Sequence, residues 1–342
     1  MKVRHPHSLS IIFLLSTLTL NITLADDTNP SKPTLELDLK KLRPTPKPNN
    51  YCNPNLDSDI LFGIGYELFS QDNYPEAKSC FTMAAPNYDR AFCYLAIIAQ
   101  HDDEPDEIKR NTEALNYTRY AASKNNWCAE YRMYENYKYG VNGLNPDKGF
   151  ALYWLKRSAM HGYPEAQQLL KIYHFKQGEL PLSYAWSKII GQQADEPIER
   201  AFKNMTNDQI IEGKKHLEKL SKSVTSKQTL KDEALKENIA FLSAGIHLDY
   251  PETFKDATYE ERYEYIKKTV NEVAKKSKLK SKSDIFSFIV IARHAQKTQK
   301  KEDILNNKTI MNILENREFT TSEKIEKSLS ILNKPQHQQT SS

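Results

Sequence analysis

The chain has 342 residues, with 48 Lys and Arg against 44 Asp and Glu, for a formal charge of +4. Removing Lys2 and Arg4 with an N-terminal leader leaves about +2, and so balanced a charge gives no reason to propose nucleic acid as a partner. Ten Gly beside abundant Ala, Leu, Lys, Glu and Tyr suit an all-helical protein, long enough for two domains.

Residues 1–25 read as a secretory signal. Lys2 and Arg4 supply the basic start, Leu9 to Leu20 the apolar run, and Thr23-Leu24-Ala25 a small-residue cleavage site before Asp26. The apolar run is short of the roughly 20 residues a spanning helix needs. The first expectation is therefore an exported, periplasmic bacterial protein with no stable membrane insertion, cleaved after Ala25. Residues 26–50 carry five Pro and no periodicity, and read as an extended or disordered tether.

From about residue 56 to 194 the chain repeats itself. First helices align on Ile60, Ala91, Ala129 and Ala166. Four residues on stand Ile64, Leu95, Met133 and Leu170, and eight on stand Leu68, Ala99, Tyr137 and His174. That spacing is one face of a helix. Second helices align on Ala77, Ala114, Ala151 and Ser183, with Cys80, Tyr117, Trp154 and Trp186 three residues later and Ala84, Ala121, Ser158 and Ile190 seven later. The columns recur every 31 to 38 residues, the range of stacked helical hairpins. Small residues let two helices approach, and the aromatic beside them fills the groove. Gly140, Gly162 and Asn125 stand where helices should stop in a left-handed conformation.

The stretch from Ala129 to Gly162 resembles a Sel1-like repeat: Ala-Glu-Tyr-Arg-Met-Tyr-Glu-Asn-Tyr-Lys-Tyr-Gly, a short Asn/Gly loop, then Gly-Phe-Ala-Leu-Tyr-Trp-Leu-Lys-Arg-Ser-Ala-Met-His-Gly. The first unit resembles a tetratricopeptide unit equally, through Gly65, Leu68, Ala77, Phe81 and Ala84. The second carries Asp102 to Glu107 in place of the loop Gly. The fourth has Lys171 and His174 in place of the usual Gly and Tyr. The resemblance implies an α/α solenoid, and solenoids of this kind usually bind other proteins. It also implies that first helices line the inner, concave face.

After Trp186, Met205 to Leu220 is expected to form an amphipathic helix, capped by Thr206 or Asn207, that covers the last repeat and completes a solenoid over 51–220. Residues 221–232, rich in Ser, Thr and Lys, read as a linker. A second unit over 233–335 is expected to be a small helical bundle built from Leu235–His247, Tyr259–Lys276, Ile285–His294, Ile304–Leu314 and Ser322–Leu332, with Ile285–His294 at its centre. Residues 336–342 are a polar tail. The spacing of Pro251-Glu-Thr-Phe254, Glu261-Arg262, Tyr265-Ile266 and Asp284-Ile-Phe-Ser-Phe288 resembles helical domains encoded near type VI secretion genes.

Cys52, Cys80, Cys93 and Cys128 remain after processing, an even number that favours disulfides in an exported chain. Three pairings are open. Cys80 and Cys93 stand about equally far from a turn near Asn87, which favours that pair and leaves Cys52 with Cys128. A secreted Cys-rich branch of the Sel1-like family bridges its helical pairs, but its regular Cys pair in each repeat is absent here. No C-x2-C, H-E-x-x-H, P-loop, G-x-G-x-x-G or G-x-S-x-G occurs, so neither metal nor cofactor is expected. Ser277-Lys-Leu-Lys280 matches S-x-x-K by letter inside a lysine run, where chance supplies such matches.

Tyr131, Arg132, Glu135 and Lys138 lie on a first helix, Tyr131 and Arg132 outside the packing columns, and Tyr and Arg are favoured at binding hot spots. These four are the candidate partner contacts. The expected function is a non-enzymatic interaction protein, in its most concrete form an immunity protein that blocks a secreted, lipase-like effector enzyme. This follows the resemblance of exported Sel1-like proteins to known immunity partners. The alternatives are a periplasmic scaffold or regulator, and a hydrolase of cell-wall or β-lactam substrates.

Overall fold

The computed structural model describes residues 48–101, 105–191, 195–298 and 303–333. The expected signal peptide, most of the tether and the expected tail lie outside the described residues. Every regular element described is helical.

Four hairpins follow one another: α1 (Ser58–Ser70) with α2 (Tyr74–Ala84), α3 (Ala91–His101) with α4 (Glu107–Ser123), α5 (Trp127–Tyr139) with α6 (Lys148–Met160), and α7 (Pro164–Lys176) with α8 (Leu180–Ile190). Polar side chains start the helices by accepting from first-turn amides: Asp106 from Ile108 and Lys109, Asn126 from Cys128 and Ala129, and Asp147 from Phe150. Gly140 (φ 68°), Gly162 (φ 99°) and Asn125 (φ 61°) stop them in left-handed conformations, as their positions predict. The column residues are buried, except that Tyr137 and Ile190 are half-buried. The architecture is an all-α solenoid of helical hairpins followed by a small helical bundle. Odd-numbered helices neighbour one another, joined by Tyr94 of α3 against Phe69 of α1 and by Tyr131 of α5 against Tyr163 at the head of α7.

The fourth hairpin keeps its packing without the usual Gly and Tyr. Lys171 and His174 are both buried, and His174 Nδ1 sits 2.6 Å from Glu179 Oε2. A short helix not anticipated from the sequence, α9 (Glu196–Lys203), follows. Then α10 (Asn207–Ser223) packs on α8, its Gly213 facing the Tyr184 ring. Thr206 caps α10 in a reciprocal box with Gln209. The rest of α10 is exposed or half-buried, as a terminal cap requires.

The expected linker at 221–232 is a correction. Only Val224–Ser226 is non-helical, and α11 (Lys227–Asp249) begins directly after it. Two bonds force the short turn: the Thr225 amide donates to the Met160 carbonyl (2.8 Å), and Ser226 accepts from the Thr229 amide (3.0 Å). Leu230 then seats against Gly162. The polar composition of this segment marks an exposed helix surface, not a break.

The remaining helices are α12 (Tyr259–Lys276), α13 (Lys282–Lys297), α14 (Lys308–Glu315) and α15 (Thr321–Leu332), with 3-10 turns at Pro251–Thr253 and Ile304–Asn306. α13 packs on α11, α12, α14 and α15 and is the central helix of the bundle. α11 divides two cores. Its Ile239, Leu242 and Ile246 enter the bundle core, while Ala240 and Ala244 enter the core of the solenoid. They do so against α1, where a Cβ on Gly63 would stand 2.5 Å from both the Ala240 carbonyl oxygen and the Ala244 Cβ. The helix that follows the capping α10 therefore returns to the first hairpin. Arg262 of α12 adds a polar tie, donating to Asp57 Oδ2 (2.7 Å) and Asp59 Oδ1 (2.8 Å) at the start of α1.

All four cysteines are bridged, but not as expected. The pairs are Cys52–Cys80 and Cys93–Cys128. Equal distance from a turn sets two residues level without setting the direction they face. Cys93 and Cys128 occupy the first turns of α3 and α5, one repeat apart, and the bridge joins neighbouring odd helices. Cys52 lies on a non-helical segment laid along α2, where the Asn49 side-chain amide reaches the Glu76 carbonyl (3.3 Å). Two such pairs point to an oxidising compartment.

Candidate functional site: the odd-helix face around α5

The candidate residues gather on α5 where it faces α3 and the head of α7. Tyr131 packs on the Tyr163 ring (4.7 Å) and on Tyr134 (5.4 Å). Arg132 reaches back to α3, its Nη1 donating to Gln100 Oε1 at 3.4 Å. The Gln100 amide in turn donates to Asn142 Oδ1 (3.2 Å). Lys138 is exposed, its ammonium 5.2 Å from the Tyr134 ring and 4.7 Å from the Tyr139 ring. Tyr131, Arg132 and Glu135 are half-buried.

Burial governs the electrostatics here. It lowers Arg132 below the ordinary arginine value despite the attraction of Glu135. It raises the Glu135 carboxyl despite Arg132 and Lys138. Burial, followed by the Glu165 and Glu135 carboxylates, pushes Tyr163 up to about 12. Among the described residues Arg132 makes no ion pair within 4.0 Å, so its desolvation is not offset by a direct carboxylate contact. A desolvated guanidinium beside phenol rings is an arrangement that a partner's carboxylate or carbonyl would stabilise.

A second group was not picked out from the sequence. The Arg90 guanidinium lies 3.9 Å over the Trp127 ring, and its Nε is 2.8 Å from Glu237 of α11. Trp127 stacks on Tyr163 at 4.9 Å. A continuous row therefore runs Glu237, Arg90, Trp127, Tyr163, Tyr131. It carries α11 into contact with the candidate surface. Arg90 and Trp127 stand just before or at helix starts, outside the repeat columns; the only signal in the sequence was their proximity to those starts.

Other polar clusters brace hairpins. Glu130 is fully buried, accepts from Arg157 Nε (2.9 Å) and faces His161 Nδ1 (2.6 Å); Arg157 also donates to Asn125 Oδ1 (2.7 Å). These contacts tie α5 to both flanking turns. The Ser277 hydroxyl donates to the Val273 carbonyl (2.8 Å) and accepts from the Leu279 amide (3.2 Å), closing the end of α12. Among the described residues no Ser, Thr or Cys side chain is hydrogen-bonded to a histidine ring, and no three His, Cys, Asp or Glu side chains are placed to hold a metal ion. Among the same residues, no helix is long and apolar enough to cross a membrane.

No family model, curated protein or solved structure matches this chain.

Proposed function

We propose that the protein is a non-catalytic binder of another protein, acting in the periplasm after removal of residues 1–25, and that its repeats are Sel1-like. The observation that supports this reading is the α5 surface: Arg132, desolvated and without an ion pair among the described residues, on the helix that carries Tyr131 and Lys138 and close enough to Tyr163 to feel its charge. Aromatic and Arg anchors that are already partly desolvated cost little further ordering when a partner covers them. The most concrete form is an immunity protein that occludes a secreted effector enzyme. Occlusion needs a stable complementary surface and no reacting groups, and two disulfides suit a surface that must persist outside the cytoplasm.

The test is affinity capture of the tagged, processed protein from its native envelope, followed by binding measurements on what is recovered. The expected result is one stoichiometric secreted enzyme, inhibited in the complex, with Arg132→Ala and Tyr131→Ala each weakening binding at least tenfold, or about 1.4 kcal/mol. Several envelope proteins at low occupancy would replace the immunity reading with a scaffold role. A partner whose affinity ignores both substitutions would remove the α5 surface from the account.

A further inference from the structure

The bundle holds a cleft of about 980 Å³, the size of a small-ligand pocket. It opens between α11, α12, α13 and the start of α15. One wall is apolar: Phe241, Leu242 and Leu248 from α11, Tyr250 after it, Val270 from α12, and Phe286 from α13. Leu248 remains 44% exposed at the opening. The other side is cationic. Lys280 and Lys282 both line it, both are exposed, and neither makes an ion pair among the described residues. Lys282 Nζ hangs 5.1 Å over the Phe241 ring, and Lys280 Nζ donates to the Ala274 carbonyl at 3.3 Å. Ser283, Thr321 and Ser322 complete this side from the first turns of α13 and α15, whose backbone dipoles add positive potential. Asp249, at the end of α11, contributes a carboxylate to the lining.

We propose that this cleft binds a single-chain amphiphilic anion, with an acyl chain along the apolar wall and its headgroup between Lys280 and Lys282. The two halves of the lining match the two halves of such a molecule. A neutral apolar ligand would make no use of the two ammonium groups, which Asp249 in the lining and Glu237 near Lys282 face without an ion pair. A small inorganic anion would leave the apolar wall wet. The chemistry is shared by a free fatty carboxylate and by a lysophospholipid phosphate. This inference is independent of the α5 surface and of the partner proposed for it.

The test uses the purified, disulfide-intact protein and the fluorescent polyene fatty acid cis-parinaric acid. Saturable one-to-one binding is expected, displaced by palmitate or by lysophosphatidylglycerol. Displacement by the carboxylate alone, by the lysolipid alone or by both supports the site and assigns its source. Lys280→Glu with Lys282→Glu is expected to weaken binding at least tenfold. Lys214→Glu on α10, also exposed, is expected to leave it unchanged. Val270→Trp, which fills the cleft, should abolish binding; the lysine pair decides the matter if that variant misfolds. Absence of saturable binding overturns the proposal. So does equal displacement by methyl palmitate, or affinity unaltered by the lysine pair.

Discussion

Arg262→Met isolates the polar tie between the bundle and the first hairpin. Arg262 is 5% exposed and bonds two carboxylates with different surroundings, Asp57 at 41% exposure and Asp59 at 5%. Asp57 regains water when the guanidinium goes and loses little. Asp59 cannot. Its Oδ1 loses the 2.8 Å bond, and its Oδ2 already has no hydrogen-bond partner. Removing one member of a buried pair costs about 3–5 kcal/mol. With one carboxylate solvated, about 3 kcal/mol is expected at pH 7. The pH dependence gives a second handle. Burial already raises the Asp59 carboxyl above its ordinary 3.8 despite Arg262. A folded acid with a raised value binds its proton more tightly than the unfolded chain does. Stability therefore falls as pH rises through that range, and the penalty vanishes once both states are protonated below 3.8. Without Arg262 the rise is larger, so the variant's deficit should be greatest at pH 7 and shrink toward pH 4. The assay is urea unfolding followed by circular dichroism at both pH values. Arg262→Met with Asp59→Asn should recover most of the loss. A deficit under about 1 kcal/mol at pH 7, or one equal at both pH values, would refute the claim that Asp59 is buried against this arginine.

The bridges should map as Cys52–Cys80 and Cys93–Cys128 in a non-reduced proteolytic digest, and recovery of a Cys80–Cys93 peptide would overturn the register of α2 against α3. Cys93→Ser with Cys128→Ser opens a loop of 35 residues and should cost about 4 kcal/mol in chain entropy, read as a lowered unfolding midpoint. Gly63→Leu overpacks the α1–α11 contact and should cost about 3 kcal/mol, with amide exchange of α11 rising more than that of α6. Gly162→Val forces a β-branched residue to φ 99° and into Leu230, and should cost about 2 kcal/mol in the same urea assay.

Local signals carried through where a single segment decides the outcome. Tyr259–Lys276 begins at Thr258, whose capping box with Glu261 is written in four consecutive residues. The repeat columns became the solenoid core because each is a short-range pattern repeated. The bridge pairing was not legible, since Cys52 sits on an irregular segment whose path follows from Asn49 and Glu76. The return of α11 was equally hidden. Its only mark is Ala240 and Ala244, one helical turn apart, opposite a glycine some 180 residues earlier. At the candidate surface Tyr131, Arg132, Glu135 and Lys138 share one helix, and periodicity placed them together. Arg90, Trp127 and Tyr163 joined them through stacking across three hairpins, which no spacing rule encodes.

The docking of α11 and α12 on α1 also sets an order of events. In a repeat array whose units touch only their neighbours, the first unit synthesised can settle first. Here the first hairpin leaves Gly63 and Asp59 open until partners about 200 residues downstream arrive, the Arg262–Asp59 bond spanning 203 positions. A chain emerging from its N-terminus can therefore complete the packing of its middle repeats before that of its earliest one. The last hydrogen bonds of the first helix would close only after the bundle had been made.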